Sequence, residues 1–304
     1  MIETNERAGR HTDNLPLALF SIILTVLALS LGDALIKLTS SDFVLWQIFV
    51  LRSAIAIPVL ILLLALSPAN SVLPKAAGWT VARSLMLVVM WICYYMALPH
   101  LPLSVAAAGY YTLPLFITLF SALFSKERVS LRGWFAVMLG FLGILLILRP
   151  SAEGFNLYAL LPVASATLYA FAMILTRTKC RSEHPLTLSL VLNIAFIIVG
   201  AVAALAIAAF APDDRSGFLS GPWTEMTVEN WMAMTLLAAS ILIGSIGAAI
   251  AYQNGPPAMV GTFDFAYVGF AVLWGLVFFA NLPDAISIAG ISMIVVAGIL
   301  AVRE

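Results

Sequence analysis

Ten apolar segments, each about as long as a membrane-spanning helix, limit what this chain can fold into. They cover residues 17–38, 43–66, 77–98, 103–124, 131–148, 157–177, 186–210, 231–252, 258–280 and 284–302. A helix of about 20 apolar residues crosses the roughly 30 Å of hydrocarbon in a bilayer. The segments are apolar without interruption, whereas the strands of a membrane barrel would alternate. The sequence therefore predicts an all-α integral membrane protein with ten transmembrane helices.

The composition leaves no room for a soluble domain. Hydrophobic residues make up 62% of the chain and charged residues 10%, which is far from the averages of soluble proteins. The longest connection covers only residues 211–230, so the function must lie among the helices. We expect the lipid bilayer and a small-molecule metabolite as partners, no nucleic acid, and a monomer or homodimer. Residues 1–16 lack the pattern of a cleaved signal peptide and are expected to form a cytoplasmic tail.

The basic residues of the connections predict the orientation, because lysine and arginine accumulate on the cytoplasmic side. With the N-terminus inside, the outer connections contain only Arg149 and Arg215. The inner side contains Arg7, Arg10, Lys75, Lys126, Arg128, Arg132, Arg177, Lys179, Arg181 and Arg303. Both termini are therefore predicted to be cytoplasmic, with the protein in the cytoplasmic membrane, which is the inner membrane of a Gram-negative cell.

One stretch of the chain occurs twice, with a shift of about 155 residues. Residues 102–150 begin Pro-Leu-Ser-Val, residues 257–303 begin Pro-Ala-Met-Val, and both contain a late Gly-Ile-Leu, at Gly143 and Gly298. The chain thus divides into two repeats, residues 17–150 and 151–304, with five segments each. Because five is odd, the second repeat crosses the membrane in the opposite direction, which predicts the inverted repeats of secondary transporters. This alignment places Tyr110 opposite Asp264.

Several motifs of the first repeat match a known family. They are YTLPLF at residues 111–116, SALF at residues 121–124, Lys126-Glu127-Arg128, and the glycines Gly140 and Gly143. Together they resemble the EamA domain of the drug/metabolite transporter superfamily. The likeness is weaker in the second repeat, where Asn281 matches Glu127 and no proline matches Pro114.

The resemblance implies a secondary transporter that moves a small metabolite by alternating access, rather than an enzyme. Residues 45–47, 51–53 and 101–108 look most like bacterial metabolite importers, including carriers of riboflavin and S-adenosylmethionine. Riboflavin uptake is the first hypothesis. A carrier of S-adenosylmethionine, or an exporter of an amino acid or another metabolite, is the alternative.

Ionisable residues inside the segments are the first candidates for a transport role, because a charge at a helix centre costs about 2.5–3.5 kcal/mol on insertion scales. Arg52 is expected to contact the substrate or, alternatively, an acid or backbone carbonyls of another helix. Asp264 and Asp33 are candidates for proton coupling, and Asp264 also for substrate binding; its alternative role is a hydrogen bond between helices. Lys37 is a possible ion-pair partner of Asp33, one turn away. Arg83 is expected to reach the cytoplasmic surface.

Aromatic residues form the second set of candidates. Those proposed to bind substrate are Trp91, Tyr95, Tyr110, Tyr111, Tyr169 and Tyr267. Buried tyrosine and tryptophan need hydrogen-bond partners, so a cluster of them predicts a cavity in which a planar ring system stacks. In the alternative, Tyr94, Tyr95 and Tyr252 anchor helix ends at the membrane surface and the others pack between helices.

Two other classes of protein fit parts of the sequence. Asp33 and Asp264 suggest an intramembrane aspartyl protease, but Ser-Leu-Gly precedes Asp33 in place of a Gly-x-Gly-Asp motif, and no serine-hydrolase, zinc or phosphate-loop motif occurs. A membrane scaffold without a substrate is the other alternative. With only Cys93 and Cys180, the chain offers no disulfide framework or metal cluster, and no cofactor is expected.

Overall fold

The computed structural model describes residues 13–39, 43–67, 73–97, 100, 109–124, 129–148, 157–210, 216–279 and 285–302. This part of the chain is helical and contains no strand. Its helices are α1 (Leu15–Thr39), α2 (Leu45–Leu66), α3 (Ala77–Ala97), α4 (Leu113–Phe124), α5 (Leu131–Leu148), α6 (Leu160–Thr178), α7 (Pro185–Phe210), α8 (Gly217–Ser220), α9 (Val228–Asn254), α10 (Pro257–Asp264), α11 (Ala266–Phe279) and α12 (Ala285–Val302), with a 3₁₀ turn at Leu157–Ala159.

Six helices in these ranges are long and apolar enough to cross a membrane, namely α1, α2, α3, α6 with its 3₁₀ turn, α7 and α9. Helix α4 and parts of α5 and α12 are shorter apolar segments. The prediction of an all-helical membrane protein is confirmed. Some sequence features lie outside the described residues: positions 1–12 of the tail, positions 101–108 of the fourth segment, the motif at 126–128, and the boundary of the repeats at 149–156.

The ninth predicted segment is not one continuous helix. Helix α10 ends at Asp264 and α11 begins at Ala266, so the regular α-helical hydrogen bonding is interrupted at Phe265, whose φ of −58° and ψ of −24° remain helical. The backbone N–H of Val268 donates to the carbonyl oxygen of Phe265 at 3.1 Å, the tighter spacing of a 3₁₀ turn. The ring of Phe265 is fully buried against Gly140 of α5, where any larger side chain would collide with it. Tertiary packing therefore holds the break in place.

The fourth predicted segment has a corresponding break. A turn at Tyr111 and Thr112 separates the helical residues 109–110 from α4. Pro114 has no backbone N–H, so a regular helix cannot continue through this point. Thr112 stabilises the turn by donating its hydroxyl to the carbonyl oxygen of Gly109 at 2.6 Å. In the repeat alignment residues 111–112 fall opposite residues 265–266, so the two segments break at matching positions.

Helix pairs in the two halves of the chain pack in matching ways. Helix α1 packs along α9 as α3 packs along α6, and α4 contacts α6 as α11 contacts α1. Three further pairs are α2 with α7, α5 with α12, and α4 with α10. This set of contacts is unchanged when each helix of the first half is exchanged for the helix five segments later.

Small residues let these helices approach closely. A Cβ atom on Gly143 would lie 2.7 Å from the carbonyl oxygen of Gly290, where α5 crosses α12. A Cβ atom on Gly298, the counterpart of Gly143 in the second repeat, would lie 3.3 Å from the ring of Phe263. Close contacts at small residues are typical of membrane helices, and they explain the glycine at both positions.

Polar contacts join α3, α6 and α9 at one end of the bundle. Asp13 accepts hydrogen bonds from Arg177, at 2.8 Å, and from Arg181. Both arginines also donate to the backbone carbonyl of Gln253 in α9. The carboxylate of Glu183 accepts from two backbone N–H groups just before α3, at 3.1 and 2.6 Å. Burial would raise the pKa of Asp13, but hydrogen bonds and charge interactions with the two arginines outweigh it and hold this pKa below its ordinary value.

Candidate functional site

A cavity lies between the two halves of the chain, next to both helix breaks. It is bounded by α1, α3, α6, α10, α11 and the start of α4. We call it the central cavity. It is lined by Val26, Leu29, Asp33, Trp91, Tyr94, Tyr110, Tyr111, Leu113, Tyr169, Asp264 and Tyr267. Five tyrosines, a tryptophan and two acids give this cavity an aromatic wall with two carboxyl groups.

A smaller cavity adjoins the central cavity, and we call it the side cavity. It is lined by Leu29, Gly32, Asp33, Ile36, Arg52, Trp91, Tyr95, Leu237, Ser240 and Ile241. The nine predicted site residues divide between the two: Arg52 and Tyr95 line the side cavity, Tyr110, Tyr111, Tyr169, Asp264 and Tyr267 line the central cavity, and Asp33 and Trp91 line both. The structure therefore brings all nine into one region.

Aromatic rings form a continuous row along the two cavities. Tyr95 stacks on Trp91 with ring centroids 5.2 Å apart. The row continues from Trp91 to Tyr94 at 6.5 Å, Tyr94 to Tyr110 at 5.2 Å, Tyr110 to Tyr111 at 5.7 Å, and Tyr111 to Tyr267 at 5.5 Å. Tyr95 and Tyr252 are only 3% and 0% exposed, so the alternative in which they anchor helix ends at the membrane surface is wrong.

Each carboxyl group of the central cavity accepts a hydrogen bond from a tyrosine. Oδ2 of Asp264 accepts from the hydroxyl of Tyr252 at 2.5 Å, and Oδ2 of Asp33 accepts from the hydroxyl of Tyr267. These bonds join α10 to α9 and α1 to α11, so Asp264 has the interhelical role weighed for it as well as a place in the cavity. Spacing along the sequence gives no sign of either pair. The side chain of Lys37, the predicted partner of Asp33, lies outside the described residues.

Arg52 is almost fully buried beside a pair of aromatic rings. Its guanidinium carbon lies 5.1 Å from the ring centroid of Phe49 and 4.6 Å from that of Phe196, within the range of cation–π attraction. Nε and Nη2 of Arg52 have no hydrogen-bond partner, and the described residues offer it no ion pair. No direct hydrogen bond or ion pair ties Arg52 to another helix, although Asp33 and Tyr95 at the same cavity interact with its charge.

Arg83 is not where the sequence predicts it. It is 1% exposed instead of reaching the surface, and its Nε donates to the hydroxyl of Thr176 on α6 at 2.6 Å. The hydroxyl of Ser165, also on α6, donates to the carbonyl oxygen of Met90 on α3 at 2.9 Å. These polar side chains join α3 to α6, while Tyr169 on the same helix lines the central cavity.

Comparison with known proteins assigns this arrangement to a family. The sequence profile of the EamA-like transporter family matches residues 16–149. Residues 16–149 therefore belong to the EamA-like transporter family. Among the relatives of this transporter are the pseudopaline exporter of Pseudomonas aeruginosa, which is 28% identical over 93% of this chain and 95% of its own, and the riboflavin transporter of Vibrio cholerae, which is 28% identical over 80% and 78%.

A solved crystal structure shares the fold of this EamA-like transporter. It is 19% identical in sequence, covers 94% of this chain and 96% of its own, and superposes with a TM-score of 0.76. The family resemblance found in the sequence is confirmed. The protein is a transport protein and not an enzyme, so the aspartyl protease alternative is excluded.

Proposed function

We propose that this transporter moves a small metabolite by alternating access between two inverted repeats of five transmembrane helices. The repeats are residues 17–150 and 151–304, and residues 1–16 form the tail. Support comes from the main helix contacts, most of which map onto one another when the halves are exchanged, and from the turns at residues 111–112 and 265, which lie within about one residue of each other in the repeat alignment. In transporters built from inverted repeats, discontinuous helices form the substrate site. The central cavity, which adjoins both breaks, is therefore the proposed substrate site.

Both termini are proposed to lie on the cytoplasmic side of the cytoplasmic membrane. Asp13 of the tail contacts Arg177 and Arg181, two of the basic residues of the predicted inner connections. The tail and the connection after α6 are therefore on one side, and basic connections favour the cytoplasm. We propose that one chain forms a complete transport unit, whether it acts as a monomer or two copies associate as a homodimer.

Riboflavin uptake is the first proposed activity. The observation that carries it is the row of six aromatic rings along the two cavities, because such rings stack on a planar ring system. The carboxyl groups of Asp33 and Asp264 supply acceptors for the ring N–H and the side-chain hydroxyls of riboflavin. Riboflavin transporters of Vibrio cholerae and Rhizobium johnstonii, 28% and 30% identical to this chain, support the assignment.

Asp33 and Asp264 are the proposed coupling groups. Both are carboxyl groups within the helix bundle, and ionisable groups at such positions mark ion and proton pathways. Each accepts a hydrogen bond from a tyrosine of a different helix. Protonation of either acid therefore changes a contact between helices, which is how proton binding would bias one conformation over another.

Export of a metabolite is the second candidate activity. The pseudopaline exporter of Pseudomonas aeruginosa matches this chain almost from end to end, further than the riboflavin transporters do. S-adenosylmethionine, which combines a planar base with a positive charge, also fits an aromatic cavity with two carboxyl groups. Both compounds therefore belong in the transport test beside riboflavin.

Transport in living cells and in vesicles tests these proposals. A riboflavin-requiring bacterium that lacks its own uptake system should grow on limiting riboflavin when it expresses this protein. In proteoliposomes, labelled riboflavin should accumulate faster when the outside is acidic. Trp91→Ala, in the aromatic row, should slow uptake at least tenfold, whereas Trp79→Ala, on an exposed surface of α3, should not.

The result also separates the candidates. Rescue of a strain that requires S-adenosylmethionine, without rescue by riboflavin, would replace riboflavin as the substrate. Efflux of pseudopaline, with no uptake of riboflavin or S-adenosylmethionine, would favour export. No flux of these compounds, or of a broad panel of metabolites, in either direction would contradict the proposed transport mechanism.

A further inference from the structure

Arg52 keeps two unpaired donors inside the protein. Its side chain is 3% exposed, and neither Nε nor Nη2 has a hydrogen-bond partner. Burying polar N–H groups without acceptors costs free energy, and the cost is larger for a charged group. The rings of Phe49 and Phe196 lie against the guanidinium, but they do not accept the hydrogen bonds that its edge can donate. The two buried nitrogens of Arg52 are therefore available to donate to an acceptor on a ligand.

The identity of the two unpaired nitrogens defines the ligand group. Nε–H and one N–H of Nη2 lie along the same edge of the planar guanidinium and point in the same direction. This edge donates two parallel hydrogen bonds to two neighbouring acceptor atoms, as it does to a carboxylate. The ring edge of a flavin, with a ring nitrogen beside a carbonyl oxygen, offers acceptors at a similar spacing. We propose that Arg52 forms the subsite for such a pair of adjacent acceptor atoms on the transported metabolite.

The position of Arg52 connects this subsite to the central cavity, and the inference rests on the transport function proposed for that cavity. Arg52 lines the side cavity, and Asp33 and Trp91 line both cavities. Tyr95, stacked on Trp91, also lines the side cavity, and its hydroxyl interacts with Arg52. Ser240 is already engaged, since its hydroxyl donates to a backbone carbonyl of α1 at 2.6 Å. A substrate whose ring stacks on the aromatic row therefore reaches Arg52 with its acceptor pair.

Arg83 provides a control for the change at Arg52. It is as deeply buried as Arg52 and also has one unpaired nitrogen, Nη1, but its Nε donates to Thr176 and it lines neither cavity. Replacing either arginine by methionine removes a buried positive charge from the bundle and keeps an unbranched side chain. Only the change at Arg52 removes donors from the proposed subsite.

Binding to the purified protein in lipid nanodiscs tests the subsite with defined probes. Riboflavin presents the flavin edge, and indole-3-acetate presents a carboxylate on a planar ring. Indole-3-acetamide is the partner that lacks the carboxylate. Calorimetric titration would give the affinity of each probe for the wild type, Arg52→Met, Arg52→Lys and Arg83→Met, after size-exclusion chromatography has shown which variants are folded.

We expect Arg52→Met to weaken the binding of riboflavin or indole-3-acetate at least tenfold, which is about 1.4 kcal/mol, while Arg83→Met leaves it within twofold. Arg52→Lys should restore part of the affinity, because an ammonium keeps the charge but lacks the parallel donors. If Arg52→Met does not fold, the affinity of Arg52→Lys relative to the wild type is the test. Loss confined to indole-3-acetate, with weak binding of the acetamide throughout, identifies a carboxylate as the ligand group; loss confined to riboflavin identifies the flavin edge.

Two results overturn the subsite. One is equal affinity of the wild type and the Arg52 variants for a probe that the wild type binds. The other is failure of the wild type to bind either probe. The first result contradicts the subsite but not the proposed transport function. Only the absence of flux in cells and proteoliposomes would contradict the transport function.

Discussion

The hydrogen bond between Tyr252 and Asp264 leads to a quantitative prediction for Tyr252→Phe. This change removes only the hydroxyl that donates to Oδ2 of Asp264 at 2.5 Å. The two side chains are 0% and 5% exposed, so bulk water does not replace the lost donor. A hydrogen bond to a charged group contributes about 1.5–3 kcal/mol, and interhelical bonds measured in a membrane protein average about 0.6 kcal/mol. We expect Tyr252→Phe to lower the free energy of unfolding by about 0.6–3 kcal/mol.

Chemical unfolding in mixed micelles, followed by circular dichroism, measures this free energy. Tyr111→Phe is the matched control, because the hydroxyl of Tyr111 is buried without a partner and its removal breaks no hydrogen bond. We expect that control to change the free energy of unfolding by less than about 0.5 kcal/mol. An Asp264→Leu background completes a double-mutant cycle, in which Tyr252→Phe should cost little because the acceptor is already gone.

Either of two outcomes would refute this reasoning. Equal effects of Tyr252→Phe and Tyr111→Phe would mean that the hydroxyl of Tyr252 does not stabilise the fold. Additive effects of Tyr252→Phe and Asp264→Leu would mean that the stabilisation does not come from their hydrogen bond. Both outcomes would also remove the basis for expecting protonation of Asp264 to alter the contact between α9 and α10.

Three further predictions concern other parts of the molecule. Asp264→Asn should slow uptake or abolish its dependence on a pH gradient while leaving membrane insertion intact; unchanged uptake at every pH contradicts this. Gly143→Leu should reduce the yield of folded protein, because its Cβ would lie 2.7 Å from the Gly290 carbonyl oxygen, whereas Gly269→Ala, with no atom within 4 Å of the new Cβ, should be tolerated on the same chromatographic measure. Asp13→Asn should speed proteolysis of the tail at neutral pH. The arginine partners lower the pKa of Asp13, so in the wild type its contact with them is complete above the ordinary pKa of 3.8 and is lost as the pH falls through the lowered pKa. Proteolysis of the wild-type tail at a rate independent of pH would contradict this prediction.

The helices were predictable because the bilayer sets their length. A segment that crosses hydrocarbon must stay apolar for about 20 residues, so its ends are marked by polar residues in the sequence. Helices α2 and α7 accordingly end at Leu66 and Phe210, as the hydrophobic pattern predicts. The turn at Phe265 could not be predicted from the sequence, because no glycine or proline is adjacent to it. Its cause is the packing of the Phe265 ring on Gly140.

The gathering of charged and aromatic residues was predictable for a related reason. A charge in an apolar segment is unfavourable in lipid, so Asp33, Arg52 and Asp264 were expected to face protein or a cavity. Which partner each finds depends on the three-dimensional packing of helices that lie far apart in sequence. The bond from Tyr267 to Asp33 joins residues 234 positions apart. For the same reason the sequence placed Arg83 at the surface, although α6 covers it and supplies Thr176 as an acceptor.

The two breaks give the proposed site an asymmetry that the repeat alone would not provide. The helices are interrupted by turns at similar positions in the two halves, but Tyr110 stands before the first turn where Asp264 stands before the second. The first half contributes Asp33 and most of the aromatic rings to the central cavity, and the second half contributes Asp264, Tyr169 and Tyr267. A symmetric pair of breaks would bind a substrate equally well in two orientations. Because the chemistry differs on the two sides, we expect one bound orientation, with the ring system against the first half and a hydrogen-bond donor toward Asp264.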